Sequence, residues 1–286
     1  MTTEYERAVA IAQSPQAPGD AVYAAARDLG AVFDRGDHLV GLLPADAAGL
    51  LLHLYERAGA AGVAAAWPAA GEVLRSTTLG AALPADPARA LAAYQAGART
   101  GDRDAIVAFI RVVHFTDRSI AAAYYPEAAE HLNRLLSSSP DPSLMVLSAW
   151  MLAAGEGYAE DPKRARAMLK AAAKAGDADA HFELFIYATQ GIGGRADAAS
   201  ALRHLRAAAD GGNVRAMANL GGMYATGTGV EQDDAAAVDW YRRAADGGLA
   251  RAARNLAVMY GTGHGAPQDP ELAERYSRRA DQLDAL

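Results

Sequence analysis

The chain offers few residues in an arrangement suited to catalysis. The glycine-rich segments ATGTGV and GTGHGA lack the Lys-Ser/Thr pair of a phosphate-binding loop, and both precede aspartates that would repel phosphate. No Gly-x-Ser-x-Gly segment presents a serine nucleophile, and Ser137, Ser138 and Ser139 lie where a helix ends in a turn. Cysteine is absent, which excludes disulfides, thiolate metal sites and cysteine nucleophiles.

The histidines and paired carboxylates also lack the spacing of a reactive site. His181 and His204 fall on successive predicted helices, but no third metal ligand stands at a recognisable distance in the sequence. Carboxylate pairs such as Asp177 and Asp179 recur where helices begin, and helix capping is their simpler interpretation. We therefore predict no catalytic residue, no metal and no cofactor.

The predicted helices that carry these residues recur with an internal period of 36 residues. A step of 36 links identical residues throughout the second half of the chain. The linked positions are Gly155, Gly191, Gly227 and Gly263; Gly157, Gly193, Gly229 and Gly265; Asp161, Asp197, Asp233 and Asp269; Ala165, Ala201, Ala237 and Ala273; and Leu184, Leu220 and Leu256. So many coincidences at one spacing exceed what alanine-rich composition explains, so stacked repeats are predicted.

Each repeat reads as a helix, a glycine loop, a second helix and a glycine turn. In 213–248, Leu220 and Tyr224 share one face of the first helix, since residues four apart are neighbours on a helix. Gly227 then ends that helix, and Asp233 can cap the next one. The predicted core positions of this repeat are Ala216, Leu220, Tyr224, Ala237, Trp240, Tyr241 and Ala244.

The stretch AMANLGGMYATGTGVEQDDAAAVDWYRRAADGG resembles the Sel1-like repeat, a relative of the tetratricopeptide repeat with a slightly longer unit. The segment AARNLAVMYGTGHGAPQDPELAERYSRRA resembles it nearly as well. The resemblance implies an all-α fold, a right-handed α-solenoid of helix-turn-helix repeats. It also implies a scaffold or adaptor that binds other proteins.

The repeats are predicted to form one continuous solenoid with three parts. Residues 1–20 supply an N-terminal capping helix, 21–140 about three divergent repeats, and 141–286 four regular repeats. The seven units are predicted to begin near Ala21, Val63, Asp104, Asp141, Asp177, Asn213 and Leu249. The partial matches in the divergent part are Leu29, Gly30, Phe33, Gly36, Asp86, Pro87, Ala90 and Tyr94.

The charge of the chain bears on its partners. Its net charge of -7 argues against general nucleic-acid binding, which needs a basic surface, and weakly favours a basic partner. No uninterrupted apolar run reaches about 18 residues, so no membrane span is expected. The first residues lack the basic and apolar regions of a signal peptide, so a cytoplasmic location is expected.

The first helix of each repeat is predicted to line a concave face that binds the partner. Positions flanking the repeated alanine and leucine should point into this groove. The predicted partner-binding residues are Trp150, Phe182, Ile186, Arg215, Asn219, Arg251, Arg254 and Asn255, with Gly222, Val258, Arg111 and His114 as further groove positions.

Two features of this groove suggest what it binds. In related tetratricopeptide clamps, an asparagine and a basic residue one turn earlier hold a carboxylate, and Arg215/Asn219 and Arg251/Asn255 have that spacing. The alternative is that the arginines are simply exposed to solvent, and that asparagine is common at this position throughout Sel1-like repeats. Large apolar side chains such as Trp150 are typical interface anchors, although packing between repeats explains them equally.

The leading hypothesis is a binding scaffold or adaptor whose partner is a protein or peptide. The resemblance leaves an immunity protein that neutralises a bacterial toxin as an alternative. A hydrolase is the weakest alternative, because the Sel1-like proteins regarded as β-lactam hydrolases are cysteine-rich and this chain has no cysteine. A second candidate surface is the divergent segment that contains Tyr124 and Tyr125.

Overall fold

The computed structural model describes residues 3–34, 44–75 and 85–284, and within those ranges it contains helices and no strand. The α-helices are α1 Thr3–Ala12, α2 Gly19–Asp34, α3 Pro44–Ala60, α4 Ala66–Arg75, α5 Pro87–Ala98, α6 Arg103–Phe115, α7 Arg118–Ala121, α8 Tyr125–Ser138, α9 Pro142–Ala154, α10 Pro162–Lys174, α11 Ala178–Gln190, α12 Ala198–Asp210, α13 Val214–Thr226, α14 Asp234–Asp246, α15 Ala250–Thr262 and α16 Pro270–Asp284. The predicted loop residue Gly36 lies outside the described residues. No helix in the described part is long and apolar enough to cross a membrane.

The chain divides into two compact units. The N-terminal unit comprises Met1–Leu135 and Glu156–Tyr158, and the C-terminal unit comprises Leu136–Gly155 and Ala159–Leu286. Consecutive helices pack as pairs in both, for example α4 with α5 and α13 with α14. The predicted all-α architecture of helix-pair repeats is confirmed, whereas the single continuous solenoid remains a prediction.

Capping explains where the helices of the C-terminal unit begin. The side chain of Asp233 accepts a hydrogen bond from the backbone N–H of Ala236, 2.9 Å away, which satisfies one of the unpaired amides of the first turn. Asp197 caps α12 in the same way. The N–H of Asp233 also donates to the carbonyl of Tyr224 at 2.9 Å, so the capping residue ties the second helix to the first.

The two glycines of each loop have different roles. Gly263 ends α15 in the left-handed region, at φ +76°, where a side chain is strained. Gly265 is left-handed too, and a Cβ placed on it would lie 2.1 Å from the carbonyl oxygen of Asp234 in the preceding repeat. Gly265 therefore lets its repeat approach the backbone of the preceding one, and Gly193 does the same at the carbonyl oxygen of Pro162. Gly229 instead lies against the side chain of Met223 in its own repeat.

The core of the C-terminal unit lies between the paired helices. Leu220 is 1% exposed, which confirms its predicted place in the core. The ring of Tyr241 is buried against Gly221, where a Cβ would lie 3.1 Å from the ring. Tyr224 and Trp240, predicted as core residues, are only half-buried at its edge, because Tyr241 occupies the inner position of the second helix.

The N-terminal unit repeats this packing with less regular helices. Tyr94 fills the space left by Gly71, where a Cβ would lie 2.4 Å from the ring. The predicted N-terminal helix is present as α1, which packs on α2 and α3. Arg57 of α3 donates hydrogen bonds to the carbonyls of Ile11 and Ala12, at 3.0 and 3.1 Å, and so fixes the end of α1.

Candidate partner-binding site

The first helices of the C-terminal unit, α9, α11, α13 and α15, carry all eight predicted partner-binding residues. We call their common surface the first-helix face. Arg215, Arg251 and Arg254 are exposed on it, and Phe182 is buried. The half-buried members are Trp150, Ile186, Asn219 and Asn255.

Phe182 differs from the expected exposed anchor. It is 5% exposed, and the guanidinium carbon of Arg215 lies 4.5 Å from the centre of its ring. Arg215 also places its Nη2 3.7 Å from Oε1 of Glu183. The arginine of one repeat thus covers the phenylalanine of the previous one, and Phe182 belongs to the packing between repeats.

The second arginine reaches across the repeats in the same direction. Nη2 of Arg251 donates a hydrogen bond of 3.0 Å to Oδ1 of Asn219 on the preceding first helix. The hypothesis that Arg251 and Asn255 together hold a carboxylate of a partner stays a prediction. Asn255 lines the same cavity as the side chain of Tyr241. Burial raises the pKa of the Tyr241 hydroxyl, while the charge of Arg251 and the nearby amide of Asn255 act in the opposite direction.

These polar groups border a cavity of about 330 Å³, which we call the α13/α15 pocket. Its lining combines apolar and polar side chains. The lining residues are Phe185, Ala218, Asn219, Gly222, Met223, Thr226, Tyr241, Arg251 and Asn255. Polar and apolar groups contribute about equally to its wall. A concave site in which a few polar groups converge beside apolar side chains is a common form of binding site.

The pocket gathers only part of the predicted set. Asn219, Arg251 and Asn255 line it, whereas Arg254 forms an ion pair with Asp284 near the end of α16. Trp150 and Ile186 are not among its lining residues. Val258 is 63% exposed on the first-helix face.

Sequence reasoning missed the apolar part of the pocket. Phe185 and Met223 stand beside predicted positions rather than on them, and Tyr241 was assigned to the core of the second helix. The adjacent glycines of α13 carry the signal that could have revealed this. A Cβ on Gly222 would lie 3.3 Å from the Tyr241 hydroxyl, so the missing side chain exposes that group to the pocket.

The C-terminal unit also brings two histidines together. Nδ1 of His181 lies 3.0 Å from Nδ1 of His204, and both rings are half-buried. Burial lowers the pKa of His204, and the charges of His181, Arg203 and nearby cations lower it further. Among the described residues, no group of three or more histidine, aspartate or glutamate side chains is placed to hold a metal ion.

The further groove positions of the third repeat lie in the N-terminal unit. Arg111 lines a separate cavity of about 440 Å³ together with Phe115, which is 68% exposed. Nδ1 of His114 lies 2.6 Å from a carboxylate oxygen of Glu156. In the second candidate surface, Tyr125 is buried and Tyr124 half-buried, so packing accounts for most of their area.

Stacked pairs of helices with a glycine loop in each pair define the chain as an α-helical repeat protein. A model of the Sel1 repeat family matches residues 142–177, 178–213, 214–249 and 250–280. Residues 142–280 therefore form four Sel1 repeats, and the predicted resemblance is confirmed.

Solved structures show the same fold at low sequence identity. A Sel1 repeat protein from Oxalobacter formigenes is 22% identical with a TM-score of 0.60, over 98% of this chain and 82% of that one. A protective antigen of uropathogenic Escherichia coli is 23% identical with a TM-score of 0.54, over 81% of this chain. This chain spans 48% of the length of that antigen. An immunity protein from Pseudomonas aeruginosa is 20% identical over 95% of this chain and 83% of that one, with a TM-score of only 0.43. No curated protein matches the chain.

Proposed function

We propose that this protein is a binding module that holds a protein or peptide partner on the first-helix face of its C-terminal unit. The α13/α15 pocket is the observation that carries the proposal, because it joins apolar side chains to four polar ones from two successive first helices. The function is that of a cytoplasmic scaffold or adaptor, with no turnover by this chain alone.

The pocket suits one apolar side chain of an extended peptide. Phe185 and Met223 offer apolar contact, and burial of such contact supplies most of the affinity of a small interface. Arg251 and Asn219 hold each other at 3.0 Å, so the arginine fork is already oriented before a ligand arrives. An oriented guanidinium selects a carboxylate or backbone carbonyls beside the apolar side chain.

Selection from a random peptide library displayed on phage tests the proposal. We expect enriched peptides to share an apolar residue next to an acidic one, and to bind with an affinity measurable by fluorescence anisotropy. Met223→Glu and the double variant Asn219→Ala/Arg251→Ala should each weaken binding at least about ten-fold, as loss of a central contact does. Arg243→Ala/Arg278→Ala removes exposed charges from α14 and α16 and is the matched control. Peptides that bind every variant equally would contradict the site.

As an immunity protein, the chain would use the same binding function with a toxin as its partner. That alternative rests on the resemblance alone. Co-expression of the protein with toxins encoded beside it tests this role, since only an immunity protein restores growth. If Asn219→Ala/Arg251→Ala abolished this protection, the α13/α15 pocket would be the site that binds the toxin.

A further inference from the structure

Helix α10 has an unusual charge for a chain with a net charge of -7. It contains five basic residues and no acidic one in thirteen positions. Every lysine of the sequence lies on it. The basic residues are Lys163, Arg164, Arg166, Lys170 and Lys174.

The three lysines form a single stripe on the outside of the helix. At about 100° per residue they fall within roughly 40° of one another around the helix axis. The buried positions Ala165 and Leu169 are on the opposite side. All three lysines are exposed to solvent. We call this surface the lysine stripe.

The next second helix extends the positive surface. Arg203 and Arg206 of α12 are exposed, and the pKa of His204 is lowered partly by the charges of Arg203, Arg166 and Lys170. The loop before α12 packs on α10, because a Cβ on Gly193 would lie 2.4 Å from the Pro162 carbonyl oxygen. The positive charges of α10 and α12 therefore lie close enough to form one continuous basic surface.

The described residues give these cations no ion-pair partner. In the part of the chain that the structure describes, none of the seven lysines and arginines of α10 and α12 takes part in an ion pair. The equivalent surface of α14 differs, since Arg242 there pairs with Asp239 at 3.1 Å. In addition, Nε of Arg166 is buried without a hydrogen-bond partner in the structure.

We infer that the lysine stripe, with Arg203 and Arg206, is a second docking surface that binds an acidic segment of a partner polypeptide. Unpaired cations on one side of a helix raise the local concentration of an anionic partner and orient it. The stripe is about 16 Å long, at 1.5 Å per residue, which suits a few carboxylates on one extended segment.

The surface suits a polypeptide better than a membrane or a nucleic acid. Between the lysines, the outer side of α10 presents only Ala167 and Ala171, so it has no large apolar side chain to insert into lipid. It has no aromatic side chain on which a base could stack. The net charge of -7 repels the continuous negative charge of a bilayer or a duplex more than it repels a short acidic segment.

This inference goes beyond the proposed function, because it uses the second helices rather than the first-helix face. It also reverses the weak expectation of a basic partner, which rested on net charge. The two sites fail separately, since Asn219 and Arg251 lie on other helices.

Fluorescence anisotropy with a labelled twelve-residue peptide of alternating glutamate and serine tests the inference, with glutamine replacing glutamate in the reference peptide. At low salt, we expect the glutamate peptide to bind at least about ten-fold more tightly than the reference. Lys163→Gln/Lys170→Gln/Lys174→Gln should remove most of that preference. Arg243→Gln/Arg275→Gln/Arg278→Gln takes the same charge from α14 and α16 and should change binding less than about two-fold. The exposed sites permit both variants to fold, and circular dichroism verifies this.

A carbodiimide that joins carboxylates to amines gives an independent readout. Cross-links from the glutamate peptide should map to the three lysines rather than to the terminal amine. Absence of binding by the wild type, or equal losses in the two triple variants, would overturn the inference. Tighter, lysine-dependent binding to phosphatidylserine vesicles or to duplex DNA would overturn the assignment to a polypeptide.

Discussion

At the scale of single residues, contacts between repeats decide what each side chain can do. Arg215 covers Phe182, and Arg251 reaches Asn219, so each arginine serves the repeat before its own. The same arrangement withdraws Phe182 from solvent and leaves Arg251 at the rim of a pocket. A ligand that contacted Arg251 would therefore contact two repeats at once.

Leu220→Ala tests the core at this scale. Leu220 is 1% exposed, so its truncation should lower the free energy of unfolding by about 2–5 kcal/mol, from lost burial and the cavity left behind. Chemical denaturation measures the loss. Val258→Ala, at a site 63% exposed, is the control and should change stability by less than about 0.5 kcal/mol.

The histidine pair predicts a pH dependence of stability. The pKa of His204 is lower in the folded protein than in the unfolded chain, so the native state binds fewer protons. The contribution of His204 is constant above the unfolded value near 6.5, and stability should fall as the pH decreases from there through the lower folded value. Urea unfolding between pH 8 and pH 5 should show a smaller fall for His204→Gln than for the wild type. A control without a titratable group, Val258→Ala, should keep the wild-type slope, and an unchanged slope in His204→Gln would refute the role of His204.

At the scale of elements, the glycine loop is the part that turns helix pairs into a stack. Its first glycine ends the first helix in the left-handed region, and its second, in the loops of Gly193 and Gly265, allows backbone contact with the preceding repeat. The recurrence of both glycines predicted the loop from sequence. Only the structure shows that Gly265 is required by the close backbone of Asp234 as well as by its own positive φ.

Gly265→Ala separates these two requirements. Alanine in the left-handed region costs roughly 1–2 kcal/mol at any such glycine. Gly248, at φ +90°, has nothing within 4 Å of an added Cβ, so Gly248→Ala should cost that amount alone. Gly265→Ala should cost roughly 1–3 kcal/mol more, because its Cβ meets the Asp234 carbonyl. Equal losses in thermal unfolding of the two variants would contradict this account.

At the scale of the whole molecule, the regular periodicity of 141–286 was enough to predict the helix pairs, the glycine loops and the buried place of Leu220. The site was predicted less well. Helical periodicity places a side chain on a face but does not align one repeat with the next, so the burial of Phe182 and the contact between Arg251 and Asn219 could not be deduced. Net charge likewise concealed the basic surface of α10, since it averages over the chain.

Stability in the C-terminal unit should be distributed repeat by repeat. Each helix pair contacts mainly its neighbours along the chain, as α15 does with α14 and α16. Leu256→Ala should therefore speed amide hydrogen exchange most in α15 and α16, less in α13 and α14, and least in α9 and α10. Exchange followed by mass spectrometry resolves these segments, and a uniform increase throughout the unit would instead indicate one cooperative block.

The confinement of every lysine to α10 has a practical consequence for binding assays. Coupling the protein through its amines to a biosensor chip would anchor it mainly by the second-helix side, apart from its terminal amine. The α13/α15 pocket would then remain open to the flowing analyte, while the lysine stripe would be consumed by the coupling. A partner that binds the protein in free solution but not on such a chip would thereby report which side of the repeats it uses.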